Sequence, residues 1–127
     1  MTGKPHEEWL KQADYDMETA EALLQAGRYP YVVFMCHLSL EKALKGLYRA
    51  RLGKVPPRTH NLIFLLKAVG IKPEPGADMV LATLTQAQPA TRYPDTLVDL
   101  QSSYTQAAAE ELLARSREVL EWIRRQF

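Results

Sequence analysis

Apolar residues recur at intervals of three and four along most of this chain, a spacing that predicts amphipathic helices. The widest apolar face belongs to residues 31–52, and it is broader than a surface helix normally shows. The residues on that face are Val32, Val33, Cys36, Leu40, Ala43, Leu44 and Leu47. We therefore predict that this helix lies at the centre of the fold.

Four further helices follow from the same spacing and from the positions of proline and glycine. They cover residues 5–26, 60–69, 77–88 and 103–125. Residues 90–102 have no clear period and are expected to form a loop with room for one turn of helix at residues 97–100. No segment alternates between apolar and polar residues over the length of a strand.

Local signals set the predicted helix boundaries. Gly53 ends the central helix, and Thr59 is placed to cap the third one. Pro89 is expected to end the fourth helix, because proline lacks the amide that the next turn needs. Ser103 and Gln106 have the spacing of a capping box at the start of the last helix.

Length and composition limit the fold class. The chain has 127 residues, 46% of them hydrophobic, which suffices for one domain with a real core and is too short for two. We predict a single all-α domain over residues 1–127, an up-and-down antiparallel bundle of about five helices.

Composition also excludes several classes of protein. No run of eighteen apolar residues occurs, and the polar first residues do not resemble a signal peptide, so we expect no membrane association and a cytoplasmic location. The single cysteine, Cys36, rules out an intramolecular disulfide. Glycine-rich phosphate loops, paired cysteines and histidines at metal-binding spacing are absent, so we predict no cofactor, no metal site and no standard catalytic motif.

The net charge of +1 hides a strong local asymmetry. Residues 42–73 carry eight basic side chains and no acidic one. Such a segment attracts phosphate groups. The same lysines and arginines could instead complement the C-terminal end of the central helix, and the sequence leaves both interpretations open.

A polar ridge runs along the edge of the core face on the central helix. His37, Glu41 and Lys45 follow one another at four-residue spacing and therefore lie on one side of the helix. The histidine and the carboxylate could act as an acid and base pair, or the three residues could form a structural hydrogen-bonded set.

Two other segments contain candidate binding residues. Arg58 and His60 stand at a predicted helix start, where backbone amides favour an anion, although the segment could also be a simple capping turn. Arg92, Tyr93 and Asp95 lie in the irregular segment, where a cation, an aromatic ring and a carboxylate suit a binding loop. Alternatively, the tyrosine packs on the bundle beside a paired arginine and aspartate.

The motifs CHLSLEKALKGLY, PPRTHNL and TRYPD resemble those of the HEPN domains, the nucleotide-binding domains of higher eukaryotes and prokaryotes. The resemblance covers nearly the whole chain. It implies a helical bundle, frequent homodimers, and work beside a minimal nucleotidyltransferase in prokaryotic two-component modules, including toxin–antitoxin pairs. Many HEPN proteins are metal-independent ribonucleases with a histidine four to six residues after an arginine.

No arginine in this chain has a histidine at that distance. Only Arg92 can be matched to the ribonuclease motif. The expected function is therefore a module that binds a nucleotide, RNA or a nucleotidyltransferase partner, with no DNA ligand and with catalysis not favoured. The alternative is a divergent metal-independent ribonuclease that assembles Arg92 with His60 or His37 across the fold.

A second apolar surface is predicted on the central helix. Its residues are Tyr31, Phe34, Met35 and Leu38. Because the opposite face already fills the core of a small bundle, we expect this surface to form a homodimer interface.

Overall fold

The computed structural model describes residues 3–127, and that part of the chain folds into six helices without a strand. The helices are α1 (His6–Gln25), α2 (Tyr29–Leu52), α3 (Leu62–Val69), α4 (Ala77–Arg92), α5 (Leu97–Ser103) and α6 (Gln106–Arg124). The predicted all-helical bundle is confirmed. Within residues 3–127, no helix has the length and apolar character needed to cross a membrane.

The α2 helix is the centre of the bundle, as its broad apolar face predicts. It packs against each of the other five helices, and its predicted core face is buried. Its closest neighbour is α1, which a short turn joins to it. Gly46 allows this approach, since a Cβ atom there would lie 2.9 Å from the Cβ of Trp9.

The predicted end of α4 at residue 88 is wrong, because the helix continues through Pro89 to Arg92. The hydroxyl of buried Thr91 donates a hydrogen bond to the Ala87 carbonyl and lies 3.1 Å from both that oxygen and the Gln88 carbonyl. These contacts connect the turns on either side of the proline. Pro89 stands in the last turn of α4, where it removes a single amide donor from the helix.

The segment predicted as a loop with one turn of helix contains the complete helix α5. The hydroxyl of Thr96 caps this helix by accepting a hydrogen bond from the amide of Asp99. The predicted capping box at Ser103 is wrong, because that residue is the last of α5. Thr105 caps α6 instead, by accepting from the amide of Ala108.

Burial is uneven at the start of α2 and along α6. The start of α2 is not buried all round, since Tyr31 is 47% exposed and Phe34 is only partly buried. On α6, Ala107 is exposed, whereas Leu113 and Trp122 are buried. Leu113 and Trp122 therefore belong to the face that α6 presents to the core.

Candidate functional site

The carboxylate of Glu41 is the centre of a buried polar network in the middle of α2. Its side chain is only 6% exposed. Oε1 accepts a hydrogen bond from Nδ1 of His60 at 2.9 Å, and Oε2 accepts one from Nζ of Lys45 at 2.9 Å. A charge this deeply buried requires such partners. The predicted ridge is therefore a hydrogen-bonded set that also includes a residue from another segment.

His37 stabilises the same network from one turn earlier on α2. Its Nε2–H donates to the backbone carbonyl of His60 at 2.8 Å. Its Nδ1 lies 3.7 Å from Oε1 of Glu41, which is too long for a hydrogen bond. Burial lowers the pKa of His37 below 6.5, and the hydrogen bond to His60 and the charge of Glu41 only partly oppose this. His37 is therefore neutral near pH 7 and acts as a donor to the backbone.

His60 is the member of the network that reaches solvent. Its side chain is 54% exposed although its Nδ1 is bonded to Glu41. Two residues of α2 thus hold it, one at its ring and one at its backbone carbonyl. A ring with one nitrogen held by a carboxylate and its other edge open to solvent is suited to contact a ligand.

Arg92, the last residue of α4, lies close to this network. Its guanidinium carbon is 5.2 Å from the centre of the Phe34 ring, a cation–π contact on the surface of α2. The positive charge of Arg92 also helps to lower the pKa of His37. The structure therefore brings the two candidate regions, the α2 ridge and the end of α4, into one neighbourhood.

Tyr93 and Asp95 are exposed beside Arg92. Tyr93 is 77% exposed, so it does not pack on the bundle. Both residues line a shallow groove together with Tyr104, a residue that the sequence patterns did not single out. Within residues 3–127, Asp95 forms no salt bridge, so the alternative of a paired arginine and aspartate is not seen.

The third helix starts two residues later than predicted, and two of its first amides already have side-chain partners. The helix begins at Leu62, whose amide donates to the Thr85 hydroxyl, and the amide of Phe64 donates to the side chain of Asn61. Asn61, rather than Thr59, is therefore the N-cap. Arg58 is exposed in the preceding segment, where its charge is open to solvent.

The basic segment 42–73 divides into structural and exposed charges. Lys42 lies 2.9 Å from Asp16, and Lys45 lies 2.9 Å from Glu41, so both ammonium groups neutralise buried carboxylates. The positive field at the surface is thus smaller than the residue count suggests. In the described part of the chain, no cluster of three or more potential ligands could hold a metal ion. The exposed cations of the segment are Arg51, Lys54, Arg58, Lys67 and Lys72.

Comparison with known proteins agrees with this fold and with the motifs on α2. The HEPN domain model matches residues 6–126 of the chain. The chain belongs to the HEPN family. A search of curated proteins gives no significant match.

Two solved structures resemble this HEPN chain over nearly their full length. The first is TT1696 from Thermus thermophilus, with 28% identity, a TM-score of 0.86, and coverage of 96% of this chain and 98% of that one. The second is ST0689, described as an archaeal HEPN homologue, with 28% identity, a TM-score of 0.79, and coverage of 98% of both chains.

Proposed function

We propose that this HEPN protein is a nucleotide- or RNA-binding module whose ligand lies across His60 and Arg92. The observation that carries the proposal is the exposed imidazole of His60, held by the buried carboxylate of Glu41. A buried charge network is costly to build in a small bundle, and the ring of His60 is the part of this network that reaches solvent. Arg92, whose charge acts on the neighbouring His37, supplies a cation for a phosphate group.

The surface around Arg92 offers further contacts for a nucleotide. Tyr93 presents an exposed ring on which a base can stack, and a stacked base contributes about 1–3 kcal/mol. Arg58 lies two residues before His60 and supplies a second exposed cation. Of the sequence-predicted residues, His37, Glu41 and Lys45 serve to hold His60 rather than to contact the ligand, because all three are buried.

We also propose that the module works with a minimal nucleotidyltransferase in a prokaryotic toxin–antitoxin-like pair. This proposal rests on the family resemblance.

A homodimer through the start of α2 belongs to the same proposal. The proposed dimer surface contains Tyr31, which is 47% exposed, and lies beside the exposed Leu97 of α5. Arg92 lies over the ring of Phe34. The apolar area that remains free for a dimer contact therefore lies on the side of α2 that faces α5.

A divergent metal-independent ribonuclease is the second candidate function. The observation that favours it is that the charge of Arg92 acts on His37, whose ring is bonded to the backbone of His60, so a cation and two imidazoles share one region of the surface. The spacing of the family's ribonuclease motif is absent, and for this reason we prefer the binding module.

Calorimetric titration of ATP and of a short RNA tests the proposal. Loss of a charge-assisted contact costs roughly 1.5–3 kcal/mol, so Arg92→Ala should weaken binding about ten- to a hundredfold. Lys67→Ala, which removes an exposed cation elsewhere, is the matched control and should change affinity little. Absence of binding by the wild type would reject the module. Metal-independent RNA cleavage that Arg92→Ala abolishes would favour the ribonuclease.

A further inference from the structure

We propose that His60 recognises a hydroxyl group of the ligand, specifically the ribose 2′-hydroxyl of a single-stranded RNA, and that Glu41 sets this specificity. The inference rests on the proposed function. It specifies which group of the ligand contacts the exposed edge of the His60 ring, and why a phosphate does not bind there.

The position of the ring proton follows from the hydrogen-bond partners. A carboxylate accepts hydrogen bonds, so the 2.9 Å contact with Glu41 places the proton of His60 on Nδ1. Lys45, which is a donor only, binds the second oxygen of the same carboxylate and neutralises its charge. In the neutral imidazole, Nε2 then carries a lone pair and no hydrogen.

The backbone of residue 60 is fixed as well as its ring. Nε2–H of His37 donates to the His60 carbonyl at 2.8 Å, and His37 is almost completely buried. His60 is thus held to α2 at two points, its ring and its backbone carbonyl, and Glu41 favours one of the two tautomers of the ring. A ligand that meets the exposed edge therefore encounters an acceptor whose orientation is already set.

An acceptor at this position selects among the groups of a nucleic acid. A phosphate oxygen is also an acceptor, so it finds no donor at an Nε2 without hydrogen, and phosphates are left to Arg92 and Arg58. The 2′-hydroxyl of ribose is a donor that RNA carries at every sugar and DNA lacks. The site is consequently expected to distinguish ribose from deoxyribose.

Three fluorescein-labelled oligonucleotides of the same length and base test this inference: oligouridylate, its 2′-deoxy form and its 2′-O-methyl form. The base is constant, and only the first has a 2′-hydroxyl that can donate. We expect the full-length protein to bind oligouridylate about three- to tenfold more tightly than the other two, which corresponds to one neutral hydrogen bond. His60→Ala should bind all three equally, because it lacks the acceptor that distinguishes them.

Equal binding of the three probes by the wild type would overturn the inference and leave the proposed function intact. A preference for oligouridylate that survives in His60→Ala would also overturn it. Absence of binding to any probe would reject both the inference and RNA binding as the proposed function.

The tautomer is measured independently by ¹⁵N nuclear magnetic resonance of the imidazole in the free protein. We expect the His60 resonances of an Nδ1–H tautomer with an unprotonated Nε2. An Nε2–H tautomer would overturn the inference whatever the oligonucleotides show. Arg92→Ala, which leaves the Glu41 contact in place, should keep the wild-type tautomer while weakening the binding of all three probes.

Discussion

The carboxylate of Glu41 and the imidazole of His60 are 2.9 Å apart although nineteen residues separate them in the chain. This hydrogen bond joins the middle of α2 to the segment that precedes α3. Lys45 donates a hydrogen bond to the other oxygen of the same carboxylate. The contact therefore has two consequences, one for the stability of the bundle and one for the orientation of the exposed ring.

Removal of the Glu41 carboxylate should destabilise the protein. Glu41→Leu leaves the ammonium group of Lys45 buried without its partner, which costs about 3–5 kcal/mol in comparable buried pairs. Urea unfolding followed by circular dichroism measures the change. Glu110→Gln, which alters an exposed carboxylate on α6, is the control and should shift the midpoint little. Equal shifts for the two variants would contradict the importance of the network.

Addition of a methyl group at Gly46 should separate α1 from α2. The new Cβ would lie 2.9 Å from the Cβ of Trp9 and 3.3 Å from the carbonyl of His6. We expect Gly46→Ala to cost about 1–3 kcal/mol, even though alanine favours a helix.

A double-mutant cycle identifies the source of that cost. If the contact with Trp9 causes it, Gly46→Ala will be less destabilising in a Trp9→Ala background than in the wild type. The same cost in both backgrounds would show that the close approach of the two helices is not the reason for glycine at this position.

Stability should fall in mild acid because of His37. Burial lowers the pKa of this histidine in the folded state below 6.5, so the unfolded chain binds the proton first as the pH decreases. The contribution of His37 to the free energy of unfolding therefore decreases as the pH falls below about 6.5. His37→Gln keeps a donor for the His60 carbonyl and cannot titrate. Urea titrations between about pH 7 and 5 should show a weaker pH dependence for this variant. An unchanged pH dependence would contradict the assignment.

Cys36 should be chemically inert in the folded protein. Burial raises the pKa of its thiol to about 11. The reactive thiolate is therefore scarce at about pH 8, and the thiol is enclosed by the core. Alkylation by iodoacetamide, followed by mass spectrometry, should be slow in buffer and fast in concentrated urea. Fast modification of the folded protein would contradict the burial of this residue.

The fold could be predicted from the sequence wherever a repeating pattern determines it. The apolar face of α2 predicts its central position, because a helix with so broad an apolar surface must be surrounded. The boundaries at Pro89 and Ser103 could not be predicted in the same way. Helix α6 starts after Thr105, whose hydroxyl accepts one hydrogen bond and leaves no periodic signal, and no periodic signal marks the continuation of α4 through Pro89.

The candidate site could be predicted only in part. The four-residue spacing of His37, Glu41 and Lys45 indicates that they share a side of α2. The addition of His60 to this set depends on the path of the segment between α2 and α3, which no local pattern specifies. The approach of Arg92 depends likewise on the continuation of α4 past Pro89, which the proline signal contradicts.

The central claim is that a nucleic acid ligand lies across His60 and Arg92, and a nuclear magnetic resonance titration with oligouridylate tests it most directly. The account predicts that the side-chain resonances of His60, Arg92 and Tyr93 shift together and saturate at one ligand concentration, while resonances on the exposed face of α6 remain unchanged. Shifts confined to other surfaces, with these three residues unaffected at saturation, would contradict it.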